Sequence, residues 1–359
     1  MTVYTSGGSS VHYGFEGNDA DDVFATPVAV TKTFGLNTSV NSLSVGTNRF
    51  DLNQLGQVEP TAFAYGQQSG TIDVGFTWDD INSHDIFRSI YGASTPSSNV
   101  YSYPSGSTVP AEGGTSPAVI NPMTIQVDQQ LTGAHTYATQ ASNTTATTIR
   151  RKLMGCVATG LSISTSIGAT VDGTCSMIFG KEDTTNTTQA SSSSMAFKDQ
   201  VAITGSPLTF AHGTFKVSKG DGLVSLGEIQ SANINFNANQ NLLYQLGSHH
   251  AVDSYRQVFE ITGSFQTSFK DLTHLTHLLN QASDDVNSKG ISNKSGNTMV
   301  DVSSVGAELQ FTNGTRHIQV ELQGLSFGSH DISGLVPVQP VFEELPFKAL
   351  AARVEAKVA

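Results

Sequence analysis

"GQQSGTIDVGFTWDDINSHDIFRSIYG", residues 66–92, and "VFEITGSFQTSFKDLTHLTHLL", residues 258–279, say nearly the same thing twice. Each opens near a Ser/Thr-Gly pair, Ser69-Gly70 in the first and Thr262-Gly263 in the second. Each continues with apolar residues at every second place. Successive side chains of a strand point to opposite faces, so this alternation predicts a strand with one buried face. In the first stretch Ile72, Val74, Phe76 and Trp78 share a face, and Asp73, Gly75 and Thr77 take the other. The spacing then changes. "DDINSHDIFRSIYG" opens on acidic capping residues and closes at Gly92, which predicts a short helix with Ile81, Phe87, Ile90 and Tyr91 as its buried stripe. "KDLTHLTHLLNQ" predicts a second such helix, striped by Leu272, Leu275, Leu278 and Leu279.

Setting Leu55-Gly56 against Leu246-Gly247 places Leu43 on Ile234 and Val45 on Phe236. With two extra residues in the second copy, Gly70 falls on Gly263, Ile72 on Phe265, Val74 on Thr267 and Phe76 on Phe269. Further hairpins follow each stretch. "GCVATGLSISTSIGATVDGTCSMIFGK" alternates Val157, Leu161 and Ile163, and "AELQFTNGTRHIQVEL" turns at Asn313-Gly314, a strong hairpin signal. "MTIQVDQQL" alternates Met123, Ile125 and Val127. The expectation is a tandem duplication in which Ile72, Phe76, Phe265 and Phe269 point inward at equivalent places.

The expected organisation is an N-terminal arm over 1–28, a first β domain over 29–195, a second over 196–340, and a C-terminal amphipathic helix over 341–359. The helix expectation rests on Phe347, Leu350, Ala351, Val354 and Val358 at helical spacing. The Ser/Pro/Gly-rich segment 93–117 reads as a long loop, and "DTTNTTQASSSS" (183–194) as a linker.

Composition limits the function. The chain has 359 residues, enough for two domains. Charged residues make up only 13% and the net charge is −12, so a basic footprint for nucleic acid is absent. Residues 1–22 hold Glu16, Asp19, Asp21 and Asp22 with no Lys or Arg, and read as a solvated arm. The N-terminus lacks the basic start and apolar segment of a signal peptide, and no stretch approaches the roughly 18 apolar residues of a membrane helix. Cys156 and Cys175 are the only cysteines and read as two buried free thiols.

Chemistry-bearing patterns are sparse. His249-His250 point oppositely in an extended segment, and His274 and His277 share a helical face without a partner ligand. "GNDADD" (17–22) lacks the glycine and terminal Glu of a calcium loop. G-x-S-x-G, H-E-x-x-H and P-loop motifs are absent. No catalytic, cofactor-binding or metal residue is assigned. The signal is architectural, that of a structural subunit rather than an enzyme.

"GEIQSANINFNANQNLLYQLGSHHAVDSYRQVFEITGSFQTSFKD" (227–271) resembles the strand–loop–strand signature of the tail tube proteins of long-tailed phages and archaeal tailed viruses. Residues 151–183 resemble that family's other hairpin, and 59–80 its N-terminal counterpart. The resemblance covers about residues 30–335. It implies a mainly β fold of two tandem β-sandwich or split-barrel domains, each with a short flanking helix. It implies self-assembly into stacked rings around a hollow tube, with three chains completing a pseudo-hexameric ring. The partners implied are further copies of the chain, the tape measure protein, and terminator and baseplate proteins. DNA passes through the lumen without specific binding, and no membrane or cofactor is involved. The implied location is the virion tail, assembled in the host cytoplasm. Another virion role, as a decoration, baseplate or adhesive β-protein, fits the same composition.

Overall fold

The computed structural model describes residues 10–16, 24–52, 62–92, 94, 96–104, 120–130, 148–183, 205–218, 223–225, 229–268, 306–329, 331–333 and 341–358. Among them strands dominate. The first half contains β1 (Ser10–Phe15), β2 (Leu36–Leu52), β3 (Ala62–Thr77), β4 (Val100–Tyr103), β5 (Met123–Gln130), β6 (Thr148–Ser166), β7 (Asp172–Phe179) and β8 (Lys181–Asp183). The second contains β9 (Gly213–Ser218), β10 (Leu223–Ser225), β11 (Ile229–Asn237), β12 (Gln240–Tyr244), β13 (Ala251–Arg256), β14 (Glu260–Ser268), β15 (Gly306–Asn313), β16 (Arg316–Phe327), β17 (Asp331–Ser333) and β18 (Phe342–Lys357).

Six strands of the first half pair as β1-β5-β6-β7-β3-β2, every ladder antiparallel. Six of the second pair as β9-β15-β16-β18-β14-β11, again antiparallel throughout. The two strings belong to one sheet. They meet at β6, whose N-terminal half pairs with β5 and whose C-terminal half pairs with β11, from Gly160↔Asn237 to Ser166↔Ser231. β12 and β13 form a separate hairpin between β11 and β14.

Alternation does what the sequence requires. Ile72, Val74, Phe76 and Trp78 are buried, as are Phe265 and the alternating residues of β5. Burying each large apolar side chain contributes about 1.5–3 kcal/mol. An aromatic chain links the strands: Phe34–Phe76, Phe76–Trp78 and Trp78–Phe87 have ring centroids 6.0, 5.1 and 5.4 Å apart. In the second half Phe265 contacts Phe215 at 4.7 Å and Phe347 at 6.2 Å. Gly70 pairs with Phe179, and a Cβ at Gly70 would lie 2.1 Å from that ring. Gly263 pairs with Phe347 in the same manner, with a Cβ-to-ring distance of 2.5 Å. Each glycine is the floor on which a neighbouring strand's phenylalanine lies.

The short helix after β3 forms as expected. A 3-10 turn over Ser83–Phe87 leads into α1 (Arg88–Tyr91), which ends at Gly92 with φ 85°. The Asp79 carboxylate accepts the backbone N–H groups of Ile81 and Ser83 at 2.8 and 3.3 Å, satisfying donors that a helix start leaves open. Ile86, not Ile81, completes the buried stripe. The Asn313-Gly314 hairpin also forms, with Gly314 at φ 64° in a two-residue loop joining Asn313 to Arg316. The second expected helix and Phe269 lie outside the described residues.

Four expectations are corrected. The C-terminal amphipathic helix over 341–359 is instead β18, a central strand between β14 and β16. Its alanines favour a helix in isolation, but two ladders and the burial of Leu345, Phe347 and Val354 outweigh propensity. Pro346 is tolerated there because its carbonyl accepts from Gly328, so its missing N–H faces the break between β16 and β17. The arm over 1–28 contains β1, whose Val11 and Tyr13 are buried, so in residues 10–16 it is a core strand rather than a solvated tail. The loop over 93–117 contributes β4, which pairs with β18. The expected match of Val45 to Phe236 is displaced by two residues: Gly70 pairs with Val45, whereas Gly263 pairs with Ile234. A two-residue slip keeps each side chain on its face, which is why pattern alone missed it.

Candidate assembly surfaces

An edge strand carries a row of unpaired backbone groups and invites another strand. β2 is the last strand of the main sheet, and its outer edge has no partner among the described residues. Its side chains are exposed or half-buried from Leu36 to Asn48, and Phe50 is exposed. β17 is another strand with an open side among the described residues. Asp331, Ile332 and Ser333 pair with β18 on one side only and are all exposed.

Large apolar side chains cluster on the same parts. Among the described residues, apart from Ile167 and Leu350, the exposed ones lie on β17, on β2–β3, and on or beside the β12–β13 hairpin. Phe50 and Tyr65 are 56% and 63% exposed, and Val258 73%. Scattered exposed apolar residues are ordinary, but concentration on two arms and an edge is not. Tyr65 sits at an odd position in a strand whose buried residues are even until its last residue, Thr77, so the alternation itself marks it as facing away from the core.

The two arms touch within the chain. The turn after β12 lies against the outer part of β3: Gln68 N–H donates to the His249 carbonyl at 2.8 Å, and the Tyr244 hydroxyl donates to the Gln68 carbonyl at 2.8 Å. His249 Nδ1 is 3.2 Å from the Gly66 carbonyl. His249 therefore serves a docking contact between the two arms. Burial lowers the His250 pKa, with Lys181 and His249 acting in the same direction.

Three further contacts tie the halves. Asp80, buried at the start of the helical turn, accepts the Ser206 N–H at 2.8 Å, Asn313 Nδ2 at 3.0 Å and Arg316 Nη1 at 3.3 Å. Phe87 and Tyr91 reach across the β6·β11 seam to Phe236, with ring centroids 5.5 and 6.3 Å away. Arg256 also donates to the Ile90 carbonyl.

Near β1, the Glu16 carboxyl is buried. Its Oε1 accepts Thr124 Oγ1 at 2.8 Å and Gly155 N at 2.9 Å. Desolvation pushes its pKa up to about 7 against these lowering hydrogen bonds and Lys152. Cys156 and Cys175 are free and fully buried, and burial pushes both thiols well up. No group of three or more His, Cys, Asp or Glu among the described residues could hold a metal ion. His274, His277 and the acidic cluster at 17–22 lie outside those residues. Among the described residues no helix is long and apolar enough to cross a membrane.

Open strand edges and apolar arms on a mainly β scaffold characterise structural proteins that complete their sheets with a neighbour. The sequence pattern of the phage tail tube protein family matches residues 7–322, nearly the whole chain, and the chain belongs to that family. It is a structural component of the virion tail. No curated protein matches it. The family match ends inside β16, so β17 and β18 lie beyond it.

Proposed function

We propose that the chain builds the wall of a hollow tail tube by filling two places of a six-place ring. The observation that carries this is the repeated pairing order. The strands β1, β2, β3, β5, β6 and β7 follow the same chain order and the same sheet order as β9, β11, β14, β15, β16 and β18. Glycine under phenylalanine recurs at the same step, Gly70–Phe179 and Gly263–Phe347. In this reading the chain is a tandem duplication of a tail-tube unit. The first unit runs from β1 to β8 and the second from β9 to β18, so the segments expected as an arm and a terminal helix each supply a strand to a unit.

Three chains then close one ring with true three-fold and approximate six-fold symmetry. Rings stack into a tube through which DNA passes, around the tape measure protein and between the terminator and baseplate. The net charge of −12 supports passage without adhesion, because like charge keeps DNA off the wall. Electron microscopy of the purified protein, with the mass of an isolated ring, tests this. Three chains per ring is the expected result. Six chains per ring would leave only one half in the wall, and the absence of rings would refute the tube reading.

A further inference from the structure

Resting on that reading, we infer that β17 of one chain pairs antiparallel with β2 of the next, in a register set by the β6·β11 seam within the chain. The seam is a worked example of how one unit joins another. β6 gives its N-terminal half to β5 and its C-terminal half, from Gly160 onward, to β11. In the second unit β16 gives its N-terminal half to β15, and the line continues into β17. β17 occupies the place that Gly160–Ser162 hold in the first unit. Cys175 pairs with Val74 and Leu161; its counterpart Glu343 pairs with Thr267 and Ile332. Leu161 is buried against β11, whereas Ile332 lies open at 38% exposure. The first unit's edge is used within the chain and the second unit's is not.

β2 is the counterpart of β11. Gly70 pairs with Val45 as Gly263 pairs with Ile234, so Gly46, Thr47 and Asn48 correspond to Asn235, Phe236 and Asn237. Those three pair with Ser162, Leu161 and Gly160. Carried over, Gly46 faces Ser333, Thr47 faces Ile332, and Asn48 faces Asp331. The outer edge of β2 carries no partner strand among the described residues and can accept them. The arms agree in direction: β12–β13 leans back over β3 of the preceding unit, so the exposed outer part of β2–β3, with Phe50, leans over the Val258 region of the preceding chain.

Paired cysteines test the register. In the seam, Ala238 N–H donates to the Thr159 carbonyl and Ile167 N–H to the Gln230 carbonyl, so pairs of that parity are hydrogen-bonded. The Gly160/Asn237 and Ser162/Asn235 pairs are then the non-hydrogen-bonded ones, whose Cα atoms stand about 4.5 Å apart, within disulfide reach. Two variants follow, Asn48→Cys with Asp331→Cys, and Gly46→Cys with Ser333→Cys. All four positions are exposed, and nothing lies within 4 Å of a Cβ at Gly46. The native cysteines are fully buried and stay silent. Rings of each variant, oxidised and run on a denaturing non-reducing gel, should convert to covalent multimers of up to three chains. The off-register pair Gly46→Cys with Asp331→Cys should cross-link at least tenfold less. Rings that form but cross-link only off register, or not at all, overturn the seam while leaving the tube reading intact. If the unmodified protein forms no rings, the tube reading falls and the seam with it.

Discussion

Replacing Gly70 with Ala tests whether the glycine is there for space. Gly70 does not require a left-handed backbone, since it is absent from the positive-φ glycines. Its constraint is the Phe179 ring, three of whose carbons would lie 2.1, 2.5 and 2.6 Å from a new Cβ. Ordinary contact needs at least 3.4 Å. The ring is 1% exposed and packed, so it cannot swing away. Overpacking of this kind costs about 1–3 kcal/mol, partly offset by the roughly 0.5–1 kcal/mol that alanine gains over glycine within a strand. Truncating Phe179 to Ala empties the site and should cost about 3–5 kcal/mol. The double variant is decisive. With the ring gone the new methyl group meets no clash and fills part of the cavity, so the double variant should be at least about 1 kcal/mol more stable than additivity predicts. Denaturant unfolding of the four proteins measures this. If the two effects add within about 0.5 kcal/mol, the glycine is not the floor of that ring.

Three further outcomes are expected. Glu16, protonated in the fold up to about pH 7 but released near 4.5 in the unfolded chain, binds more protons when folded. Stability should therefore fall as pH rises from about 4.5 to 7, by on the order of 3 kcal/mol in all at about 1.4 kcal/mol per unit. Glu16→Gln should flatten that fall in unfolding experiments run across this range. An unchanged slope would place the titration elsewhere. Asp80→Ala should cost about 2 kcal/mol, since three donors from the second half lose one acceptor, with the loss moderated because Arg316 is a third exposed; a change below about 0.5 kcal/mol would show that this contact does not tie the halves. Neither Cys156 nor Cys175 should react with a thiol reagent until denaturant is added, and rapid labelling of the folded protein would contradict their burial.

The individual strands were legible because their causes are local. Ile72, Val74 and Phe76 declare a buried face through spacing alone, Asn313-Gly314 declares a turn through backbone freedom, and Asp79 and Gly92 bracket a helical turn with side chains that are neighbours in the chain. The family was legible for the same reason, since strand patterns and turns recur in order along residues 7–322. The glycines at 70 and 263 stand out in the sequence, but not why they are glycines: Phe179 and Phe347 are distant in the chain and arrive only through strand pairing.

What only the tertiary structure decided was partnership. β18 carries a helical stripe and helix-favouring alanines, yet becomes a strand because β14 and β16 offer ladders on both sides. β1 looks like a solvated acidic arm, yet Tyr13 is buried because β5 and residues 31–32 close over it. β5 hides polar Thr124 and Gln126 as well as its apolar face, which no alternation announces. The open edges of β2 and β17 are defined by what fails to pair with them. Side-chain pattern acts over a few residues and is written in the chain, whereas a backbone hydrogen bond is blind to sequence, so which strand takes which neighbour is settled only when the whole sheet closes.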